Sequence, residues 1–122
     1  MSEFSIDKGV HHLGDQEIDG WPPKLGRGWS KSFWLPDQPS DAILIIDVFS
    51  TEAEHNEVFI NNQNVGHLMR NTKADYVPSA HPLRQGLLQK GTNNLYVRVG
   101  LKAVHPTEDT DDILIRNIRL VL

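Results

Sequence analysis

DAILIIDVF, Asp41 to Phe49, is the stretch that decides the fold class. Side chains alternate between the two faces of an extended chain, so Ala42, Leu44, Ile46 and Val48 form one apolar face. Ile43, Ile45 and Phe49 make the other face apolar too, interrupted by Asp47. A strand apolar on both faces reads as central and covered on both sides. Ala42 to Ile46 is also the longest apolar run in the chain and is far too short to cross a bilayer.

Toward the C-terminus the next signal is a hairpin. Glu57 to Ile60 leads into Asn61-Asn62, and Gln63 to Leu68 leads away. Asn tolerates positive φ better than most residues, which a two-residue type I′ turn requires at both central positions. Asp75 to Val77 reads as a short strand stopped by Pro78, and Leu83, Leu87 and Leu88 fit one or two helical turns at most. Lys90 to Asn93 is a turn, and Asn94 to Leu101 is a strand with Leu95, Val97 and Val99 on one side and Tyr96 and Arg98 on the other. In the last strand, Asp112 to Leu122, Ile113 and Ile115 share one parity whereas Ile118, Leu120 and Leu122 share the opposite one. One register cannot bury both sets, so a β-bulge near Arg116-Asn117 is expected.

Toward the N-terminus, Trp29 to Leu35 alternates and stops at Pro36, with Trp29, Phe33 and Trp34 expected in the core. Val10 to Gly28, with paired His, four Gly and two Pro, reads as a long irregular surface segment, preceded by a short strand at Phe4 to Asp7. Several short strands with almost no helical pattern make a sandwich or barrel. Its expected core is Leu44, Ile46, Val48, Val58, Ile60, Leu95, Val97, Val99, Ile113, Ile115 and Leu120.

The length of 122 residues fits one domain, and 39% hydrophobic with 23% charged residues fills one core. The net charge of -4 and the absence of any Lys/Arg block argue against nucleic acid and membrane partners. Without cysteine there is no disulfide framework, thiolate metal site or Cys nucleophile. MSEFSIDKGV has no apolar signal-peptide region, so the protein is expected in the cytoplasm or exported without a classical signal.

Three segments carry a family resemblance. They are Ala42 to Phe49, the hairpin NEVFINNQNVGHL (Asn56 to Leu68) and LLQKGTNNLYVRVGL (Leu87 to Leu101), with DDILIRNIRLVL as a final strand. Together they resemble the galactose-binding-domain-like jelly roll found in sugar-binding domains of glycoside hydrolases. The hairpin departs from the usual pattern in having Asn62 where that family has Gly. The resemblance implies an antiparallel jelly-roll β-sandwich over residues 1–122. Members of this fold bind sugars, lipids or peptides, so fold alone leaves function open.

Catalysis has little support in the spacing. No nucleophile-elbow glycine pattern surrounds any Ser, and Glu52, Glu54 and Glu57 beside His55 read as a solvated charged turn. The chain is expected not to be an enzyme. His11-His12 would face opposite ways on an extended chain, and no H-x-x-x-H occurs, so zinc is not expected. Asp15, Glu17 and Asp19 alternate within GDQEIDG, and the resemblance implies a structural calcium ion between this loop and the last strand, held with Asp112. The plainer alternative is unconnected surface acids.

A sugar presents an apolar C–H face to an aromatic ring and hydroxyls to polar partners. Trp21, beside Pro22-Pro23, is either that ring or a loop staple. Arg70, Asp75 and Tyr76 follow the hairpin, in a segment that the resemblance places beside ligand pockets. Tyr96 and Arg98 either line a concave sheet face or pair with neighbouring strands. The expected function is a carbohydrate-binding module or small lectin-like protein, with Trp21, Arg70, Asp75 and Tyr76 as its site and a homo-oligomer supplying avidity. The alternative is a structural subunit of a larger particle, of phage or injection-apparatus type, whose partner is protein.

Overall fold

Eight strands form two antiparallel four-stranded sheets in the computed structural model, which describes residues 2–104 and 107–122. The first sheet has the order β1 (Glu3–Leu13), β10 (Ile113–Val121), β3 (Ala42–Phe49), β6 (Val77–Leu83). The second has the order β2 (Gly28–Leu35), β7 (Gly91–Arg98), β4 (Glu57–Ile60), β5 (Gln63–His67). A small hairpin, β8 (Leu101–Val104) with β9 (Thr107–Thr110), stands apart from both. No helix occurs among the described residues.

Parity builds the sandwich. Ala42, Leu44, Ile46 and Val48 of β3 join Val58, Ile60, Leu95 and Val97 of the opposing sheet in one buried cluster. All eleven residues expected in the core are buried. Each fully buried aliphatic side chain contributes about 1.5–3 kcal/mol, so the parity of the last strand matters. The β10 ladder with β3 slips between Arg116 and Arg119, and Asn117 adopts φ 51°. That bulge turns Ile113, Ile115, Ile118 and Leu120 all inward, each fully buried.

The hairpin turn is also as expected, with φ 49° at Asn61 and 66° at Asn62. Asn61 does a second job. Its Nδ2 donates to the Leu87 carbonyl (3.0 Å) and to Asn93 Oδ1 (2.9 Å), and its Oδ1 accepts from the Asn94 amide (2.8 Å).

Five expectations change. β1 runs on to Leu13, so the irregular segment is shorter, residues 14–27. Two register irregularities, between Ser5 and Asp7 and between Asp7 and Val10, flip the β1 parity and hide it from a pattern reading. β6 continues through Pro78 and Pro82, which an edge strand tolerates because one row of its amides needs no partner. Leu83 belongs to β6, and Leu87 and Leu88 are buried without forming a helical turn. β3 is central, yet its outer face is only partly covered: Ile43 is 38% exposed, whereas Ile45 and Phe49 are half-buried. Trp34, on the parity opposite to buried Phe33, is 59% exposed and lies outside the core.

The direction of β3 defines two ends. At its start lie the Asn61-Asn62 turn and segment 84–90. At its finish lie segment 14–27, loops 50–56 and 68–76 and the β8–β9 hairpin.

Candidate functional site

Segment 14–27 is stitched back onto the end of β1. The Gly14 amide donates to the Gly26 carbonyl (2.8 Å), and the Leu25 amide donates to the His12 carbonyl (2.9 Å). Gly14 has φ +148° and lies against Asp112, and a Cβ there would collide with that carboxylate. Asp112 Oδ1 accepts from the Gln16 amide (3.1 Å) and lies 2.9 Å from His12 Nε2. His12 is fully buried, and its Nδ1 lies 3.1 Å from the Pro22 carbonyl. The histidine therefore fixes the chain beside Trp21 to both β1 and the start of β10.

That fixing places Trp21 in a row of rings across the outer face of the first sheet. The indole meets His12 edge-on (centroids 5.0 Å, 81°) and Phe49 likewise (6.0 Å, 63°). Phe49 meets Tyr76 at 5.4 Å, and the Arg116 guanidinium lies 3.6 Å from the centroid of the Tyr76 ring. His12, Leu114 and Phe49 are in register on three adjacent strands, so the row follows the ladder direction. Trp21, Phe49 and Tyr76 are all half-buried. Burial raises the pKa of the Tyr76 hydroxyl above its usual value. Asp47, paired in register with Arg116, accepts from Arg119 Nη1 (3.2 Å) and Asn117 Nδ2 (3.3 Å).

The structure thus brings Trp21 and Tyr76 together through Phe49 but does not gather all four expected residues. Arg70 is exposed, and Arg116 is the cation that contacts the ring. Asp75 contributes its carbonyl, which accepts from Asn71 Nδ2 (2.8 Å). Asn71 Nδ2 also donates to the Val48 carbonyl (2.9 Å), pinning loop 71–75 to β3 and setting Tyr76 beside Phe49. Phe49, Asp47 and Arg116 were not among the expected site residues, although all three sit on outward parities that the sequence displays.

Three of the four candidate calcium ligands have separate partners. Arg27 holds Asp15 with two bonds (3.0 and 2.8 Å), and chiefly for that reason its pKa falls to about 2. Glu17 accepts from the Lys24 amide, Asp112 is engaged as above, and Asp19 is exposed. Among the described residues no group of three or more His, Cys, Asp or Glu side chains gathers around a possible metal position.

Among the described residues one Ser–His contact is present. Ser79 Oγ lies 2.8 Å from His81 Nε2, but both residues are buried and the same hydroxyl accepts from the Met69 amide (2.9 Å). The pair ties loop 68–76 to β6 through the Met69 amide.

The outer face of the second sheet carries Tyr96 and Arg98, which pair with neighbours. Tyr96 lies 5.8 Å from Phe59 and covers Gly28, and Arg98 bridges to Glu57. That bridge holds the Glu57 carboxyl below its usual pKa. At the far end a polar hollow of about 360 Å³ is lined by Asn61, Asn62, Gln63, Arg84, Gln89 and Asn94, among others, and offers amides but no aromatic ring. No family description, curated protein or solved structure matches the chain.

Proposed function

We propose that the chain is a non-catalytic carbohydrate-binding module or small lectin-like protein built on a galactose-binding-domain-like jelly roll. The observation that carries this reading is the half-exposed row Trp21, Phe49 and Tyr76, with Arg116 and Asp47 at its margin. Rings offer stacking area for the apolar face of a sugar, and the charged groups offer hydrogen bonds to its hydroxyls. His12 and Asn71 hold the row in place, so little ordering is needed on binding. The polar hollow at the other end lacks such a ring.

The strand orders support the jelly-roll reading. Setting aside β8 and β9 and renumbering the remaining eight strands in sequence gives sheets 1-8-3-6 and 2-7-4-5, all antiparallel, as two wound Greek keys would. A single shallow site of this type binds in the millimolar range, about -4 kcal/mol, so useful avidity calls for a homo-oligomer. A structural calcium near Asp15, Glu17, Asp19 and Asp112 belongs to the same proposal, and it would have to compete with Arg27 for Asp15.

The test is a glycan array with sizing chromatography on the same sample. Trp21→Ala and Tyr76→Ala are expected to abolish binding of any glycan recovered while leaving the fold intact. If both variants fold and bind like the parent, the site is elsewhere. The assembly reading keeps one supporting observation. β2 is an edge strand of eight residues with an unbroken register to β7 and no proline, and it carries exposed Trp34. A large closed assembly with no glycan bound would favour it.

A further inference from the structure

We propose that His55 and His67 form a binding site for a late first-row divalent cation such as Cu²⁺ or Zn²⁺. Both side chains are exposed at the β3-finish end of the second sheet. Nδ1 of His55 lies 3.4 Å from Nε2 of His67, with ring centroids 4.7 Å apart and planes at 82°. That gap is long for a hydrogen bond. It matches the separation of about 3.3–3.4 Å between two imidazole nitrogens bound to one tetrahedral cation at about 2.0–2.1 Å. The same arrangement sets the ring centroids about 5 Å apart, a few tenths of an ångström wider than they stand now.

The backbone beneath the two rings is fixed. His67 is in register with Glu57 at the start of β4, and the turn that bears His55 leads directly into that strand, which brings the two rings into contact. The Leu68 amide donates to the Asn56 carbonyl (2.7 Å), tying the strand bearing His67 to the loop bearing His55. Asn56 is buried, donates to Asp111 (2.9 Å) and accepts from the Gly100 amide (2.8 Å). The His55 carbonyl packs against Gly100 where a Cβ would collide with it.

Imidazole nitrogen selects copper, nickel and zinc over calcium and magnesium, which take oxygen. Glu57 is occupied by Arg98 and Asn64 and does not act as a ligand. Since no third His, Cys, Asp or Glu joins the pair among the described residues, water completes the coordination. His11, His12 and His81 are engaged with Asp7, Asp112 and Ser79 respectively. The bound ion would clip loop 50–56 to the end of β5. The site is independent of the sugar reading.

The experiment is calorimetric titration of the untagged full chain with Cu²⁺ and with Zn²⁺, alongside thermal melts. One saturable equivalent is expected for each, Cu²⁺ tighter than Zn²⁺, with a rise of several degrees in Tm at excess metal. Both His55→Ala and His67→Ala should lose the heat and the Tm rise while melting like the parent without metal. Absence of saturable binding, or binding that survives unchanged in both variants, overturns the proposal.

Discussion

Asp111 ties together the loop and turn at the β3-finish end of the sandwich, and Asp111→Ala tests that. The residue is fully buried, and its Oδ2 accepts from the Glu52 amide (2.8 Å), the Ala53 amide (2.9 Å) and Asn56 Nδ2 (2.9 Å). Truncation leaves three donors without a partner. Glu52 is exposed and can turn to water, but Ala53 and Asn56 are buried. Each orphaned buried donor costs about 1–3 kcal/mol, or about 2–6 kcal/mol for the two. An opposing effect reduces this. Asp111 Oδ1 is buried with no partner, and burial raises the carboxyl pKa, so the charge itself is uncomfortable where it sits. A net loss of about 2–4 kcal/mol follows, a large part of the roughly 5–15 kcal/mol that holds such a domain. The raised pKa also gives a sign. The folded carboxyl binds its proton more readily than the unfolded one, so the stability that Asp111 contributes is greatest below the unfolded pKa of 3.8 and declines as pH rises through the folded value. The deficit of Asp111→Ala should therefore shrink from pH 4 toward neutrality. Urea titration at several pH values measures both quantities. An unfolding free energy within about 0.5 kcal/mol of the parent's at unchanged m would refute the reasoning.

Three further outcomes are expected. Val97 is fully buried in β7, opposite Trp29 and Val58, so Val97→Asp should abolish cooperative folding by leaving an unpaired buried charge, and a soluble variant with a sharp melt would remove Val97 from the core. Burial lowers the His81 pKa below 6.5, so its contribution is complete above that value and is lost as pH falls through it toward the folded pKa. His81→Gln should flatten the fall in stability between pH 7 and pH 5, and equal slopes in parent and variant would exclude His81 as the titrating group. If calcium binds near Asp15, Glu17, Asp19 and Asp112, EDTA should lower Tm and added Ca²⁺ restore it; a melt indifferent to both would dismiss the ion.

What the sequence displays is which side chains share a face, and what it withholds is what crosses over that face. Ile113, Ile115, Ile118 and Leu120 announce a bulge because two buried sets of opposite parity admit no other solution. Asn61-Asn62 announces a turn because few residues with side chains accept positive φ twice running. By contrast, β6 is written with two prolines, and only its edge position, a tertiary fact, makes it a strand. The ring row has the same character. Tyr76 and Arg116 are far apart in sequence and meet because β10 and β6 flank β3.

The histidine pair shows how small the deciding detail is. An unbroken hairpin that starts from the Ile60–Gln63 pair would set Gly66 opposite Glu57 and turn His67 to the face away from His55. The ladder instead slips between Val58 and Phe59, so Val58 pairs with Gly66 and Glu57 with His67. Gly66 takes φ +127° at that slip, and Asn64 Oδ1 accepts its amide at 2.8 Å. A side chain at that φ is strained, so a glycine here holds the bulge, and the bulge puts both imidazoles on one face. Gly66→Val should accordingly separate the two rings and remove copper binding, even though it replaces neither histidine. Copper binding retained by a folded Gly66→Val variant would show that the bulge does not set the pair.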